Sequence, residues 1–125
     1  MGQLAGVCVL VVEDETLIAL MTQTMLRDHG CEVVGVAPTL ADGMQLIRAN
    51  LHRLDAVALD INLGGEIAAP LVTLLEENDI PFIVMTGYPH PEQVVPISKV
   101  PVLQKPFMAE QLIMALISLQ RGSRG

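Results

Sequence analysis

DAVALDINLGGE, residues 55–66, is the stretch that decides the fold, because a run of apolar residues stops there at Asp60 and a glycine pair follows. This pattern is typical of a buried strand that delivers a carboxylate to the loop at its carboxyl end. Open α/β sheets hold their reactive groups at that edge. Asp60 is therefore the candidate reactive residue, and Gly64-Gly65 predicts a conformationally free loop beside it.

The composition predicts one soluble domain. The chain has 125 residues, of which 51% are hydrophobic and 17% charged, with a mean hydropathy of +0.50. These values predict a single domain over residues 1–125, with a core from about residue 7 to residue 120 and no output domain. The apolar runs are of strand length, far short of the roughly 20 residues that cross a bilayer, so we expect no membrane location.

Charge and cysteine content narrow the function classes. The net charge of -7 argues against direct binding of nucleic acid and favours an acidic surface or site. Cys8 and Cys31 lie in or beside predicted buried strands, and we interpret them as small core residues rather than a disulfide. Free thiols are typical of a reducing compartment, so the expected location is the cytoplasm.

Apolar runs alternate with helical periodicity along the whole chain. Five runs predict strands, at residues 7–12, 32–37, 56–60, 80–86 and 100–103. Five helices are predicted between and after them, although prolines leave the fourth, within residues 89–96, room for about one turn. Strict alternation requires right-handed crossovers, so the predicted fold is α/β, a doubly wound five-stranded parallel sheet with flanking helices.

The first helix follows the first strand closely. Its spacing predicts an apolar stripe that includes Leu17, Leu20 and Met21, with Asp14 as a plausible N-cap. We interpret five methionines of the chain as core filling, at positions 21, 25, 44, 108 and 114.

Four of the five strand ends carry polar residues, and these residues share one edge of a parallel sheet. Glu13 and Asp14 follow the first strand, Asp60 ends the third, Thr86 ends the fourth and Lys105 follows the fifth. Three carboxylates at close range repel one another and raise each other's pKa unless a cation joins them. Oxygen ligands with room for water suit Mg²⁺, so this edge is a predicted magnesium site.

A carboxylate beside such a cation can accept a phosphoryl group. Attack of Asp60 on a phosphoryl donor forms an acyl phosphate. The transfer needs neutralisation of charge on the phosphoryl oxygens, which Mg²⁺, the Lys105 ammonium and the Thr86 hydroxyl are able to supply. Taken alone, Glu13-Asp14 can be a solvated turn, Thr86 a strand-end hydroxyl and Lys105 a surface lysine. The four strand ends together favour a phosphoryl-accepting site.

From Val7 to about Leu119 the chain resembles the receiver domain of two-component response regulators. The resemblance rests on Glu13-Asp14, Asp60, Thr86 and Lys105-Pro106-Phe107, in the right order on the right strand ends. It implies a flavodoxin-like sheet of strand order 2-1-3-4-5 and a phosphoacceptor role for Asp60. It also implies a Mg²⁺ site formed by four residues, Glu13, Asp14, Asp60 and the backbone carbonyl of Asn62.

The same resemblance implies the remaining chemistry and the partners. Thr86 and Lys105 are expected to contact the phosphoryl group, with a cis peptide before Pro106. The donor is expected to be a sensor histidine kinase or a phosphotransfer protein, and the output a changed surface for a downstream protein target. The resemblance also implies a bacterial, cytoplasmic phosphoprotein that takes part in a phosphorelay. We expect it to be a monomer or a weak homodimer.

Two positions depart from the usual pattern. Val102 stands where the family commonly has an aromatic switch residue, and Tyr88 follows Thr86-Gly87 as in variant receivers with a Phe-Ala-Thr-Gly-x-Tyr-like motif. Thr86, Tyr88 and Val102 are therefore the switch candidates. The loss at Val102 keeps open an alternative function, a docking module or phosphate sink without regulated switching.

An enzymatic function is not expected. A phosphatase that works through an aspartyl phosphate needs a second acid two residues after its nucleophile, and position 62 is Asn. We therefore expect only self-catalysed gain and loss of phosphate.

Overall fold

The fold combines a central sheet with helices on both of its faces. A computed structural model describes residues 2–97 and 99–123, so residues 1, 98, 124 and 125 of the predicted domain lie outside the described part. The strands are β1 (Cys8–Val12), β2 (Glu32–Ala37), β3 (Ala56–Asp60), β4 (Asn62–Leu63), β5 (Glu66–Ile67), β6 (Phe82–Thr86) and β7 (Val102–Gln104). The helices are α1 (Thr16–Asp28), α2 (Leu40–Ala49), α3 (Ala69–Glu77) and α4 (Ala109–Ser123).

The main sheet confirms the predicted topology. Its strand order is β2-β1-β3-β6-β7, and every neighbouring pair is parallel. Since β6 and β7 are the fourth and fifth predicted strands, this is the order 2-1-3-4-5. The carboxyl ends of β1, β3, β6 and β7 consequently lie along one edge.

A hairpin that the sequence analysis missed follows β3. Strands β4 and β5 pair in an antiparallel ladder and are joined by the two residues Gly64 and Gly65. Both glycines have positive φ, 61° and 94°, the backbone conformation that a two-residue hairpin turn requires. The expectation of a conformationally free loop was wrong, because these glycines form a tight turn.

Two hydrophobic clusters cover the two faces of the sheet. Alternate residues of β3 point to opposite sides, so Val57 and Leu59 join the cluster under α2 and α3, whereas Ala56 and Ala58 join the cluster under α1 and α4. On the second face, β3 therefore contributes only small side chains to the core.

Helix α1 does not bury the predicted stripe. Leu17, Leu20 and Met21 are 69%, 56% and 47% exposed, and the buried positions of the helix are Ala19, Thr22 and Leu26. The small side chains of Ala19 and Thr22 face the interior, and the Thr22 hydroxyl donates to the carbonyl of Ile18 at 2.7 Å. The predicted stripe was wrong because close packing selected small residues over large ones.

Two other sequence predictions on helix ends and methionines need correction. The N-cap of α1 is Glu15 and not Asp14. The core-filling interpretation is wrong for Met21, Met108 and Met114, since Met108 is 67% and Met114 64% exposed. The other two methionines, Met25 and Met44, are half-buried and pack against the core clusters.

The segment between β6 and β7 has no α-helix among its described residues. Only a 3-10 turn, Pro91–Gln93, forms there, so the fourth predicted helix is reduced to this single turn, whereas the fifth predicted helix is present as α4. Pro91 and Val95 are nevertheless buried, and they anchor the segment to the core. Prolines account for the short turn because each removes a backbone donor.

Both cysteines are free, as predicted. Cys31 is buried, and this burial raises the pKa of its thiol to about 11. The Cys8 thiol lies 3.1 Å from Glu32 Oε2, and burial is the first cause that raises its pKa as well. Within the described residues, none of the helices is long and apolar enough to cross a membrane.

Candidate functional site

The ends of four parallel strands bring the predicted site residues together. Glu13 and Asp60 are 1% and 5% exposed, and Thr86 is fully buried. Asp14 is exposed at the mouth of the site, and Lys105 reaches in from the end of β7. An open cleft lies over these strand ends, and its lining includes Asp14, Glu15, Asp60, Asn62, Thr86, Tyr88 and Lys105.

Lys105 is the central cation of the site. Its Nζ lies 2.7 Å from Glu13 Oε1, 2.9 Å from Asp60 Oδ2 and 3.2 Å from Glu15 Oε1. The contact with Glu13 is a charge contact rather than a well-directed hydrogen bond. Only 12% of the Lys105 side chain is exposed, so its ion pairs with the buried Glu13 and Asp60 are poorly screened by water.

Burial and neighbouring charges have opposite effects on the pKa values of Glu13 and Lys105. Burial raises the pKa of Glu13 to about 7, although the Lys105 ammonium and a hydrogen bond from the Glu15 amide oppose the increase. Burial by itself lowers the pKa of Lys105, but the Glu13 and Asp60 carboxylates outweigh that effect and hold it above its ordinary value. Lys105 is therefore a permanent positive charge beside the two buried acids.

The β4-β5 hairpin is tied to the acids by backbone donors. The amide of Asn62 donates to Asp60 Oδ1 at 3.0 Å, and the amide of Gly64 donates to Asp14 Oδ2 at 2.9 Å. The side-chain oxygen of Asn62 accepts from the amide of Gly65 at 2.8 Å and stabilises the turn. Asn62 thus lies directly beside the candidate reactive carboxylate.

Tyr88 links this hairpin to the end of β6. Its hydroxyl accepts a hydrogen bond from Asn62 Nδ2 at 3.1 Å, and its amide donates to Thr86 Oγ1 at 2.9 Å. Its carbonyl accepts from the Gln104 side chain at 2.7 Å. Since the Thr86 hydroxyl accepts from Tyr88, its own proton stays available for a group bound at the site.

We expect the Tyr88→Phe variant to loosen the hairpin without unfolding the protein. The substitution removes the acceptor of Asn62 Nδ2, and a single neutral hydrogen bond contributes about 1 kcal/mol. Hydrogen exchange should show a several-fold faster exchange of the Gly65 amide. Unchanged exchange at Gly65 would mean that the hydrogen bond contributes nothing to the hairpin; amides of β1 serve as internal reference.

The three switch candidates occupy different environments. Thr86 is buried, Tyr88 is half-buried, and Val102 is 37% exposed on β7. The peptide between Lys105 and Pro106 is cis, in agreement with the expectation from the resemblance. Which residue switches stays a prediction.

The acids have the chemistry of a site for a hard divalent cation. Glu13, Asp14, Glu15 and Asp60 each offer a carboxylate oxygen, and these oxygens lie within 4.8 Å of one another. Oxygen-only ligands partly open to solvent suit Mg²⁺, so the donor set fits the predicted ion.

Glu15 was missed by the sequence analysis. It belongs to the acidic run Glu13-Asp14-Glu15, and this run was the available signal. Its position after the predicted strand end suggested a solvated helix start rather than a contact with a lysine 90 residues away.

Comparisons with known proteins point to one family. The model of the "Response regulator receiver domain" matches residues 9–117. The transcriptional regulatory protein PdtaR of Mycobacterium tuberculosis is 31% identical over 113 residues, which are 86% of this chain and 54% of PdtaR. The chain therefore spans about half the length of that relative.

Two further relatives are similar in sequence or structure. The phyllosphere-induced regulator PhyR of Methylorubrum extorquens is 31% identical over 83 residues, 65% of this chain and 31% of PhyR. The solution structure of SdrG from Sphingomonas melonis is 34% identical, with a TM-score of 0.76 over 96% of this chain and 99% of SdrG.

Proposed function

Because this chain belongs to the response regulator receiver domain family, we propose that it is a response regulator that accepts a phosphoryl group on Asp60 and signals through a changed protein-binding surface. The observation that carries the proposal is the contact of Asp60 Oδ2 with Lys105 Nζ at 2.9 Å, inside a cluster of four acids. A buried nucleophile, a permanent cation and a hard-ion site together suit phosphoryl transfer.

The residues have separate roles in the proposed reaction. An oxygen of the Asp60 carboxylate bonds to phosphorus, and the bond from phosphorus to the leaving group breaks, with its electron pair going to the leaving group. The Lys105 ammonium and the Thr86 hydroxyl stabilise the charge on the phosphoryl oxygens. Asp14, Asp60 and the Asn62 carbonyl would hold Mg²⁺, with Glu13 acting through water, and the bound ion would supply further charge neutralisation.

The proposed donor is a sensor histidine kinase or a phosphotransfer protein, and it has to reach Asp60 across the rim of the cleft. Exposed apolar residues of α1, Leu17, Leu20 and Met21, lie on the helix that contributes Ile18 to that rim. An exposed apolar surface of this kind is typical of protein contacts. We expect the donor to dock there.

The proposal also covers the partners, the location, the oligomeric state and the catalytic activity of the protein. The partners are proteins and not nucleic acid, in keeping with the net charge of -7. The proposed location is the cytoplasm of a bacterium, and the oligomeric state a monomer or weak homodimer. The protein turns over no separate substrate and catalyses only its own phosphorylation and dephosphorylation.

Two observations favour the second candidate, a docking module or phosphate sink. Val102 replaces the aromatic switch residue and is partly exposed, and the described residues between β6 and β7 form only a 3-10 turn. The two candidates differ in whether the segment from Tyr88 to Gln104 changes. NMR spectra with and without beryllofluoride and Mg²⁺ separate them, because a regulated switch shifts the amides of this segment and a phosphate sink shifts only those next to the bound group.

Intact-mass measurement tests the proposed function. The protein is incubated with acetyl phosphate and Mg²⁺, and we expect the mass of one phosphoryl group, which a chelator control abolishes. Reduction of the acyl phosphate with borohydride and peptide mapping should place the modification on Asp60. A protein that gains neither phosphoryl mass nor a stable beryllofluoride adduct would contradict the proposal.

A further inference from the structure

Lys105 has two buried partners and one exposed partner, and the exposed partner has no assigned role. The side chains of Glu13 and Asp60 are 0% and 7% exposed, whereas that of Glu15 is 59% exposed. The two buried acids hold the ammonium toward the interior. Glu15 holds it toward the mouth of the cleft.

The Glu15 carboxylate does not cap helix α1, although its position at the start of the helix suggests that it would. Glu15 is the N-cap residue of α1, and its extended backbone would allow a side-chain cap. Within the described chain its carboxylate makes no such bond, and Lys105 Nζ donates to it instead at 3.2 Å. The Glu15 amide also donates to Glu13 Oε2 at 3.2 Å, so its backbone is tied to the same cluster.

The hydrogen bonds of the two Asp60 oxygens show why Lys105 needs a partner at the mouth of the cleft. Asp60 Oδ1 accepts from the Asn62 amide and Asp60 Oδ2 from Lys105 Nζ, so each oxygen already has a donor. Each oxygen keeps a second lone pair, but a donor on the attacking oxygen lowers its nucleophilicity. The lysine stem is flexible and a backbone amide is not, so Oδ2 is the oxygen whose donor can move away, outward toward the mouth of the cleft.

We propose that Glu15 is a positioning residue for Lys105. Its exposed carboxylate receives the ammonium at the mouth of the cleft as Oδ2 of Asp60 is released, and it presents the ammonium to the incoming phosphoryl oxygens. The inference rests on the proposed function. It adds a fourth acid, by its contact with Lys105 rather than by metal ligation, to the residues that set the rate of phosphorylation.

Two substitutions separate positioning from charge. Glu15→Gln keeps an oxygen that accepts from Lys105 Nζ and removes the charge, whereas Glu15→Ala removes both. At saturating Mg²⁺ and acetyl phosphate, we expect Glu15→Ala to slow phosphorylation about fivefold, the upper range for an exposed ion pair. Glu15→Gln should stay within about twofold of the unsubstituted protein. Glu66→Ala, which removes an exposed acid of the β4-β5 hairpin, is the control for net charge.

A second readout follows Lys105 itself. Lys99 and Lys105 are the only lysines in the sequence, so protein labelled with ¹³C-lysine gives two ε-carbon signals, with Lys99 as internal reference. Glu15→Ala should shift the Lys105 signal and leave that of Lys99 unchanged. Glu66→Ala should shift neither. This signal needs no phosphoryl donor.

The outcomes are distinguishable. Equal rates in Glu15→Ala and the unsubstituted protein, or an unshifted Lys105 signal, would overturn the inference. Equal slowing by Gln and Ala would assign the effect to charge and overturn it as well, as would faster phosphorylation in both variants. An unsubstituted protein that forms no adduct would instead refute the proposed function and the inference with it.

Discussion

The Lys105→Met variant is expected to lose about 3 kcal/mol of its free energy of unfolding at pH 8. The lysine is the shared counterion of Glu13 and Asp60, and both acids are nearly excluded from water. Methionine replaces the aliphatic stem but not the charge. Two like charges then remain in a buried space, which costs more than the loss of an exposed ion pair.

This loss should depend on pH with a defined sign. The pKa of Glu13 is already raised to about 7 in the folded protein, and loss of Lys105, which opposes the increase, raises it further. A group whose folded pKa exceeds its unfolded value contributes stability at low pH and loses that contribution as pH rises through the folded pKa. The variant should therefore approach the stability of the unsubstituted protein near pH 5 and fall below it toward pH 8.

Urea denaturation at pH 5, 6.5 and 8, with and without millimolar Mg²⁺, measures both effects. A cation that binds only the folded state stabilises it, and we expect the gain to be larger in the variant because its acids lack a counterion. Lys99→Met is the matched control, since Lys99 is exposed and outside the site. A Lys105→Met protein as stable as this control at pH 8 would show that the buried acids tolerate the loss of their cation.

The Asp60→Asn variant is expected to lose the phosphoryl adduct completely. The amide oxygen is a poor nucleophile, and the substitution also removes one of the four carboxylates that surround the cation site. Intact-mass spectrometry after incubation with acetyl phosphate and Mg²⁺ should show only the unmodified mass.

Asp55→Asn is the control for this substitution. Asp55 directly precedes β3, at the opposite edge of the sheet, where its carboxylate accepts from the amide of Cys8 at 2.8 Å. An amide oxygen can keep that hydrogen bond, so the control should gain the same mass as the unsubstituted protein. A phosphoryl adduct that persists in Asp60→Asn would move the nucleophile to another acid, with Asp14 as the first candidate.

The topology and the meeting of the site residues could be predicted because they depend on features that are local in sequence. Apolar runs of strand length end on polar residues, and a parallel sheet places those ends at one edge whatever the details of packing. Glu13, Asp60, Thr86 and Lys105 therefore come together as expected. Their chemical roles stay predictions until phosphorylation is measured.

The buried face of α1 could not be predicted from its periodicity. The helix has apolar residues on more than one face, and the choice between Leu17 and Ala19 depends on β1, β2 and α4, the elements that it contacts. The last of these lies at the other end of the sequence. The contact of Glu15 with Lys105 could not be predicted either, because it depends on the direction in which a long side chain points.

The hairpin, in contrast, had a readable signal. Two glycines between short apolar segments are a strong indication of a two-residue hairpin turn. We interpreted Gly64-Gly65 as freedom of the backbone, whereas the positive φ angles show that the glycines allow one particular turn. The Gly64 amide then reaches Asp14, so this turn also orders the acids.

Tyr88 also gives the protein an optical reporter of its own. The chain has one tyrosine and no tryptophan, so its ultraviolet fluorescence comes essentially from a single ring. The hydroxyl of that ring accepts a hydrogen bond from Asn62, which lies two residues after Asp60, the candidate phosphoryl acceptor. Tyrosine emission is sensitive to the hydrogen bond of the phenol, and an unlabelled sample can therefore report on the hairpin in real time during a stopped-flow experiment.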